Sequence, residues 1–211
     1  MTLAYAHGYY ICTGSDTTTV AELAVSTNNS YSVGSSWGTQ WANQVKETAG
    51  TVSGTVYHTQ VSVVGGNDIE TFSKGPGLIQ PTIDWMNAYS AVPGRLPVYN
   101  YGSADGCDHT CSNGWTTSNY YFLSWGSPPA YSFPESYDVG QDDAWYNVRA
   151  AGGGFIGFSA TLSQYEACLQ LNNPCTGTDQ GPDQAWTSFA NVLGYSTQFS
   201  DDIGYENMAI R

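Results

Sequence analysis

Basic residues are scarce in this chain of 211 residues, which has 5 Lys and Arg against 18 Asp and Glu and a formal net charge of -13. Nucleic acids and anionic membranes are bound through clustered Lys and Arg that displace counterions. The composition therefore argues against both as partners. Charged residues of either sign make up only 11% of the chain, so hydroxyl, amide, Gly and Tyr groups must form most of the surface. Such a surface is typical of secreted, cell-surface and sugar-handling proteins.

Long apolar runs are also lacking. No stretch approaches the roughly 20 apolar residues of a membrane span, so we expect no membrane insertion. The opening MTLAYAHGYY has neither the basic region nor the apolar region of a signal peptide. If the protein is exported, we expect this chain to be the mature form or a piece of a longer precursor.

Several ligand motifs are missing as well. No GxGxxG opens a helix, which leaves nucleotide binding without support, and no GxSxG marks a serine nucleophile. The histidines His7, His58 and His109 share no metal-ligand spacing. We therefore expect no cofactor and no metal. Calcium held by acids and carbonyls is the alternative, although no EF-hand-like spacing accompanies it.

Four of the five cysteines form two pairs that are close in sequence, and Cys12 is left over. The pairs are Cys107 with Cys111 (CDHTC) and Cys168 with Cys175 (CLQLNNPC). Both pairs lie in Gly-, Asn- or Pro-containing segments, which predicts two local disulfides and an oxidising compartment. A zinc site of Cys107, His109 and Cys111 is the alternative. Cys12 ends an apolar run, and we expect it to be a buried free thiol.

Strand-like and helix-like segments alternate along the chain. Six β-type runs are readable, at 4–12, 57–64, 96–101, 120–125, 130–137 and 155–160. Helical spacing of apolar residues occurs at 37–45, 79–86 and 186–193, and more weakly at 142–150 and 163–171. This alternation is typical of βαβ units and a parallel sheet. A closed (β/α) barrel normally takes about 250 residues, so we predict one α/β domain, a short or irregular TIM-like barrel. An open parallel sheet is the alternative, and 13–36 is expected to be a long irregular loop or insertion.

Acidic residues follow the strand-like runs. In VSVVGGNDIE, Asp68 and Glu70 come one residue apart, Asp105 follows the third run, and Glu135 ends the fifth. In an extended segment Asp68 and Glu70 project to the same side, and their repulsion raises the pKa of at least one. Glycosidases use such carboxylate pairs, about 5 Å apart for retention and roughly 6.5–9.5 Å for inversion. We predict that Asp68, Glu70 and Glu135 are catalytic and that Asp105 contacts substrate. The alternative is that these acids cap helices or bind loop amides.

Aromatic residues are abundant, with 7 Trp and 16 Tyr. Those predicted to line a substrate site are Tyr10, Tyr99, Tyr101, Trp125 and Tyr137. Their rings lie at or near predicted strand ends, and flat amphipathic rings stack on sugar faces. Packing in the core is the alternative for each ring.

A sequence for N-glycosylation at Asn28 is short enough to arise by chance.

The order of four motifs carries a family resemblance. The motifs are, in order, VVGGNDIE, LPVYNYGSADGC, GW-x4-YYFLSWG and FPESY. With these motifs the chain resembles secreted glycoside-hydrolase-like barrel domains of actinobacteria and similar Gram-positive bacteria. These domains are distantly similar to the lysozyme-type family with an acidic D-x-E pattern at a strand end. Asp68 and Glu70 match those acids, and Glu135 matches a polar residue after proline on a later strand. The resemblance implies a (β/α) barrel that acts on peptidoglycan or another polysaccharide.

Three functions follow from these observations. The first is a secreted glycoside hydrolase with a two-carboxylate mechanism. The second is a non-catalytic carbohydrate-binding pseudoenzyme on the same barrel. The third is a self-assembling protein of the cell surface, for which the low charge and the Tyr-, Gly- and Ser-rich composition argue.

Overall fold

The fold is a mixed α/β arrangement of parallel strands and helices. The computed structural model describes residues 1–14, 16, 18, 20–71, 78–137, 139–154, 158, 161–163, 180–193 and 203–205. The helices are α1 (Thr2–Thr13), α2 (Ser35–Ser53), α3 (Ile79–Ala91), α4 (Thr117–Tyr121), α5 (Val139–Ala151) and α6 (Pro182–Leu193). The strands are β1 (Ala21–Asn28), β2 (Val61–Asp68), β3 (Val98–Asn100), β4 (Ala130–Ser132), β5 (Thr161–Ser163) and β6 (Ile203–Tyr205).

The first four strands form one parallel sheet in the order β1-β2-β3-β4. Strands β5 and β6 pair in parallel with each other, and Glu135, after β4, forms a parallel bridge with Leu162 of β5. In the main sheet Asn28 lies opposite Asp68, and Asn67 lies opposite Asn100. Because the strands are parallel, the segments that follow them leave from the same edge of the sheet.

Helices α2 and α3 cover one face of this sheet. Val61 and Val63 of β2 are buried, as are Val45 of α2 and Trp85 of α3. Fully burying an aliphatic or aromatic side chain of this size stabilises the fold by about 1.5–3 kcal/mol. The two helices pack closely at Gly38, where a Cβ would collide with the Trp85 carbonyl. This packing fixes β2, and with it the strand end that carries the first two acids.

The glycine pair of β2 makes room for side chains on both faces of the strand. A Cβ on Gly65 would lie 2.6 Å from the Tyr89 hydroxyl. A Cβ on Gly66 would collide with the Ser26 hydroxyl and lie 3.1 Å from the Tyr101 ring. The Gly-Gly sequence therefore allows aromatic side chains to cross β2 directly before the acids.

Much of the predicted element pattern is confirmed. Helices α2, α3, α5 and α6 lie where helical spacing predicts them, and β3 and β4 lie inside predicted runs. Strand β2 begins four residues later than predicted because Val56–Thr59 form a 3-10 helix.

Three predictions about elements are wrong. The run 4–12 forms helix α1, in which Tyr5 and Tyr9 stack at i,i+4 spacing. The run 120–125 forms the end of α4 and a π-helical turn, Phe122–Gly126. The expected loop 13–36 contains strand β1, whose Ala- and Glu-containing sequence has weak β propensity. Pairing with β2 along eight residues stabilises that strand nonetheless.

One predicted disulfide is present. Cys107 and Cys111 are joined with an S–S distance of 2.02 Å, so both thiols are consumed and the alternative zinc site is not formed. Cys12 is free but exposed, contrary to the prediction of a buried thiol, because it lies on a helix rather than on an interior strand. Cys168, Cys175, the helix predicted at 163–171 and most of the run 155–160 lie outside the described residues.

Within the described ranges, no helix combines the length and the apolar character that crossing a membrane requires.

Candidate functional site

Two asparagines at the end of β1 position the first two acids. The Asn28 side-chain amide donates to Asp68 Oδ2 at 2.6 Å. The Asn29 side chain is fully buried and bonds the backbone of Glu70 twice, donating to its carbonyl at 2.9 Å and accepting from its N–H at 3.1 Å. This pairing arises because β1 and β2 are parallel and in register at Asn28 and Asp68. The Asp68–Glu70 segment is therefore fixed by side chains as well as by the sheet.

The chain that follows β3 packs against the Asp68–Glu70 segment on the side away from β1. A Cβ on Gly102 would collide with the backbone of Ile69, between the two acids. The Gly102 N–H is bonded to Asn100 Oδ1 at 3.1 Å, and the Gly102 carbonyl accepts from the Glu135 N–H at 3.4 Å. Gly102 thus lies between the Ile69 backbone and Glu135 and brings the two acidic segments together.

Three carboxylates converge at this edge of the sheet. One oxygen from each of Asp68, Glu70 and Glu135 lies within 4.8 Å of the other two. Asp68 and Glu70 are half-buried, whereas Glu135 is buried with 7% of its surface exposed. The structure therefore brings together all three residues that the sequence predicts to be catalytic.

Burial and mutual repulsion raise the pKa of two of these acids. The pKa of Glu70 rises from 4.5 to about 7, mainly because the group is partly removed from water and also because Asp68 and Asp105 are nearby. The pKa of Glu135 rises from 4.5 to about 9, again mainly through burial, with a hydrogen bond from Tyr137 opposing the rise. At neutral pH Glu135 therefore holds a proton and Glu70 is close to its midpoint.

Asp105 lies beside this cluster on an exposed loop that the disulfide closes. Its carbonyl accepts from the Ser112 N–H at 2.9 Å, and the Asn147 side chain donates to the Cys107 carbonyl at 2.9 Å. Asp105 is exposed, yet its charge helps to raise the pKa of both Glu70 and Glu135. It is therefore an exposed residue whose charge reaches the predicted acids, and it is called the rim residue of the site.

Two of the predicted aromatic residues lie next to the cluster. The Tyr101 hydroxyl donates to the Thr27 carbonyl at 3.1 Å, so the side chain crosses β2 beside Gly66. The Tyr137 side chain interacts with the Glu135 carboxylate in the sense that lowers the pKa of that acid. Both rings are half-buried and contribute to the walls of the site.

The other predicted aromatic residues have different surroundings. Tyr99 donates to Glu22 at 3.2 Å and packs against Tyr131 on the face of the sheet that carries Glu22. Trp125 packs edge-on against Trp145 and Phe158 in the interior. Tyr10 packs on Tyr57, which precedes β2 and so lies at the end of that strand opposite Asp68. The structure therefore does not bring Tyr10 to the acids, and its predicted contact with substrate stays a prediction.

Tyr120 is a site residue that the sequence does not reveal. It is fully buried against Trp115 and Trp145, with ring centroids 5.1 Å and 5.9 Å away. Its hydroxyl has no hydrogen-bond partner in the described part of the chain. Burial, first, and then the charges of Asp105, Glu70, Glu135 and Asp68 raise its pKa well above 10, so the phenol lies within the electrostatic field of the acids. Only the capped helix α4, read from sequence as a strand, gives the side chain this position.

Tyr31 is a second residue that sequence reasoning missed. It follows the two asparagines of β1, its N–H is bonded to the Asn28 carbonyl at 3.1 Å, and 82% of its surface is exposed. The ring is exposed and lies three residues after Asn28, whose amide bonds Asp68. It is therefore available for stacking on a ligand. Recognising the end of β1 in the sequence would have identified it.

Comparison of the chain with protein-family models, with curated proteins and with solved structures finds no match.

Proposed function

We propose that the protein is a glycoside hydrolase that cleaves peptidoglycan or another polysaccharide. The convergence of Asp68, Glu70 and Glu135 within 4.8 Å at the carboxyl edge of the parallel sheet carries this proposal. Clefts at this edge are where parallel α/β proteins bind their ligands. The exposed Tyr31 ring at the same edge supplies the kind of flat surface on which a sugar stacks.

The three acids have distinguishable environments, and each environment suits a different role. Glu70 is half-buried with a pKa of about 7, so it acts as the general acid, for which a pKa near the working pH is best. Asp68, held by the Asn28 amide, acts as the nucleophile. The pKa of Glu135, about 9, keeps it neutral at pH 7. It therefore limits the charge of the cluster and does not serve as the base or nucleophile.

The short separation of the acids favours retention of configuration, which requires carboxyl groups about 5 Å apart. In the first step Asp68 bonds to the anomeric carbon while the glycosidic bond breaks and the Glu70 proton passes to the leaving oxygen. In the second step Glu70 takes a proton from water, and that water displaces Asp68 from the sugar. Glu70 thus ends each cycle in its starting protonation state.

Two further parts of the proposal concern architecture and location. The sequential parallel order of β1 to β4, together with the bridge from Glu135 to β5, supports a short or irregular barrel. The Cys107–Cys111 disulfide supports secretion or a cell-surface location, because such bonds persist in oxidising compartments.

The test is the release of reducing ends from peptidoglycan and from a polysaccharide panel by the wild type and by Glu70→Gln. We expect Glu70→Gln to lose activity while its melting temperature at pH 7 stays at or above that of wild type, because the amide removes the cost of holding a carboxyl whose pKa is raised. Glu47→Gln is the matched control, since Glu47 is exposed on α2 and its loss should leave activity intact. Glycan binding without any release of reducing ends by the wild type would refute hydrolysis and identify a carbohydrate-binding protein.

A further inference from the structure

We propose that Asp68, Glu70 and Glu135, together with the Tyr120 hydroxyl, form a binding site for one calcium ion. The site goes beyond the hydrolytic function and does not rest on it, because cation binding needs only the oxygen atoms and their positions. The inference stands on two independent observations, the spacing of the carboxylates and the buried phenol beside them.

The spacing of the carboxylate oxygens fits the size of a calcium ion. Two oxygens bound to the same ion can be no farther apart than twice the metal–oxygen distance. That limit is about 4.2 Å for Mg²⁺ and about 4.6–5.2 Å for Ca²⁺. The three oxygens lie within 4.8 Å of one another. Even at that limit each oxygen would be about 2.8 Å from a central ion, against a Ca²⁺–oxygen distance of roughly 2.3–2.6 Å, so side-chain shifts of a few tenths of an ångström bring all three to one Ca²⁺.

The buried phenol points to a ligand at the same place. Tyr120 has no exposed surface, and its hydroxyl has no hydrogen-bond partner among the described residues. A buried hydroxyl without a partner costs stability, about 1–3 kcal/mol in mutational series. The charges of all four acids act on the Tyr120 hydroxyl, so a calcium ion in the cluster, or a water bound to that ion, would supply the missing partner.

The chemistry and the rigidity of the ligands also favour calcium. All ligands are carboxylate or hydroxyl oxygens, which hard cations prefer, whereas zinc prefers nitrogen and sulfur. Asn28 orients the Asp68 carboxylate, and Asn29 fixes the backbone from which the Glu70 side chain extends. The exposed charge of Asp105 at the rim attracts a cation towards the site.

Calorimetric titration of the chelator-treated full chain with CaCl2 tests the proposal, with MgCl2 in a parallel run. We expect one saturable Ca²⁺ site per chain with weaker Mg²⁺ binding, and loss of that site in Asp68→Asn. The control Glu47→Gln removes one exposed carboxylate and should bind like wild type. Equal weakening in Asp68→Asn and Glu47→Gln, or several sites of similar affinity, would mean diffuse attraction to an acidic surface and would overturn the proposal.

Tyr120→Phe provides a second test that does not alter the charge. The ring packing against Trp115 and Trp145 is retained, so the variant should fold and melt at or above the wild-type temperature without calcium. Its calcium affinity should fall about tenfold, a typical effect of removing a group that supports a metal site. Unchanged affinity would refute the part assigned to Tyr120, and this binding readout is independent of whether any glycan is cleaved.

Discussion

Glu135→Gln should stabilise the metal-free protein at neutral pH, although it replaces a residue of the proposed active site. Glu135 is buried, and its pKa is raised from 4.5 to about 9, chiefly by removal from water. Folding therefore requires this carboxyl to take up a proton whenever the solution is above its unfolded pKa. Glutamine has nearly the same shape and has no such requirement.

The sign and the size of this stability change follow from the pKa of Glu135 in the unfolded state and in the folded state. Below pH 4.5 the carboxyl is protonated in both the folded and the unfolded state, so the substitution has no titration effect. Above that pH the folded state binds more protons than the unfolded state, and its stability falls as the pH rises towards 9. Each pH unit in this window costs about 1.4 kcal/mol. The wild type is therefore penalised by about 3 kcal/mol at pH 7, and Glu135→Gln removes that penalty.

Thermal unfolding of both proteins at pH 4 and pH 7, with chelator present, measures the effect. The difference between the two pH values isolates the titration, because any packing or hydrogen-bond cost of the amide is common to both. For a chain of this size 3 kcal/mol corresponds to a rise of roughly 6–12 °C in melting temperature at pH 7. A shift that is the same at pH 4 and pH 7 would refute the raised pKa. Glu47→Gln, at an exposed site, should show no shift at either pH.

Two further predictions concern the acid segment. In chelator-treated protein, kcat/KM on a cleavable glycan should fall as the pH rises above about 7, because Glu70 must be protonated to act as the acid; a rate that stays constant to pH 9 would contradict this role. Gly102→Ala should lower the free energy of unfolding by about 3 kcal/mol and reduce activity, because its Cβ collides with the Ile69 backbone. The control Gly50→Ala, where a Cβ meets nothing within 4 Å, should be neutral or stabilising by about 0.5–1 kcal/mol in a chemical denaturation series.

The convergence of the acids was predictable because it depends on topology. Parallel strands place the segments that follow them at one edge, so Asp68, Glu70 and Glu135 meet there even though several element boundaries were predicted wrongly. Helices α2 and α3 were predictable for a similar reason, since their apolar spacing determines which face is buried. These features depend on periodicity and order, which a single sequence contains.

The residues that hold the acids in place were not predictable from the sequence. Their roles depend on contacts with strands and side chains that are distant in sequence. Asn28 stood out only as the start of a glycosylation sequence, yet its amide binds the Asp68 carboxylate. Its role follows from the register between β1 and β2, and β1 has too little β propensity to be recognised alone. Tyr120 was missed because its segment was predicted to be a strand. The aromatic residues around it in the sequence favour a strand, whereas a capping box at the start of the segment makes it a helix.

The scarcity of basic residues connects the composition to both proposals. With 5 basic residues in 211, this chain has few side chains that could neutralise three neighbouring carboxylates. The influences that raise the pKa of Glu70 are burial and other acids. Among the described residues no basic side chain is paired with these acids, so protons on the carboxyls or a cation between them can compensate the negative charge at this edge. Hydrolysis requires the proton-bearing form and calcium binding requires the ionised form, so the two proposals describe alternative states of the same three oxygens, and calcium would act as a competitor of the catalytic proton.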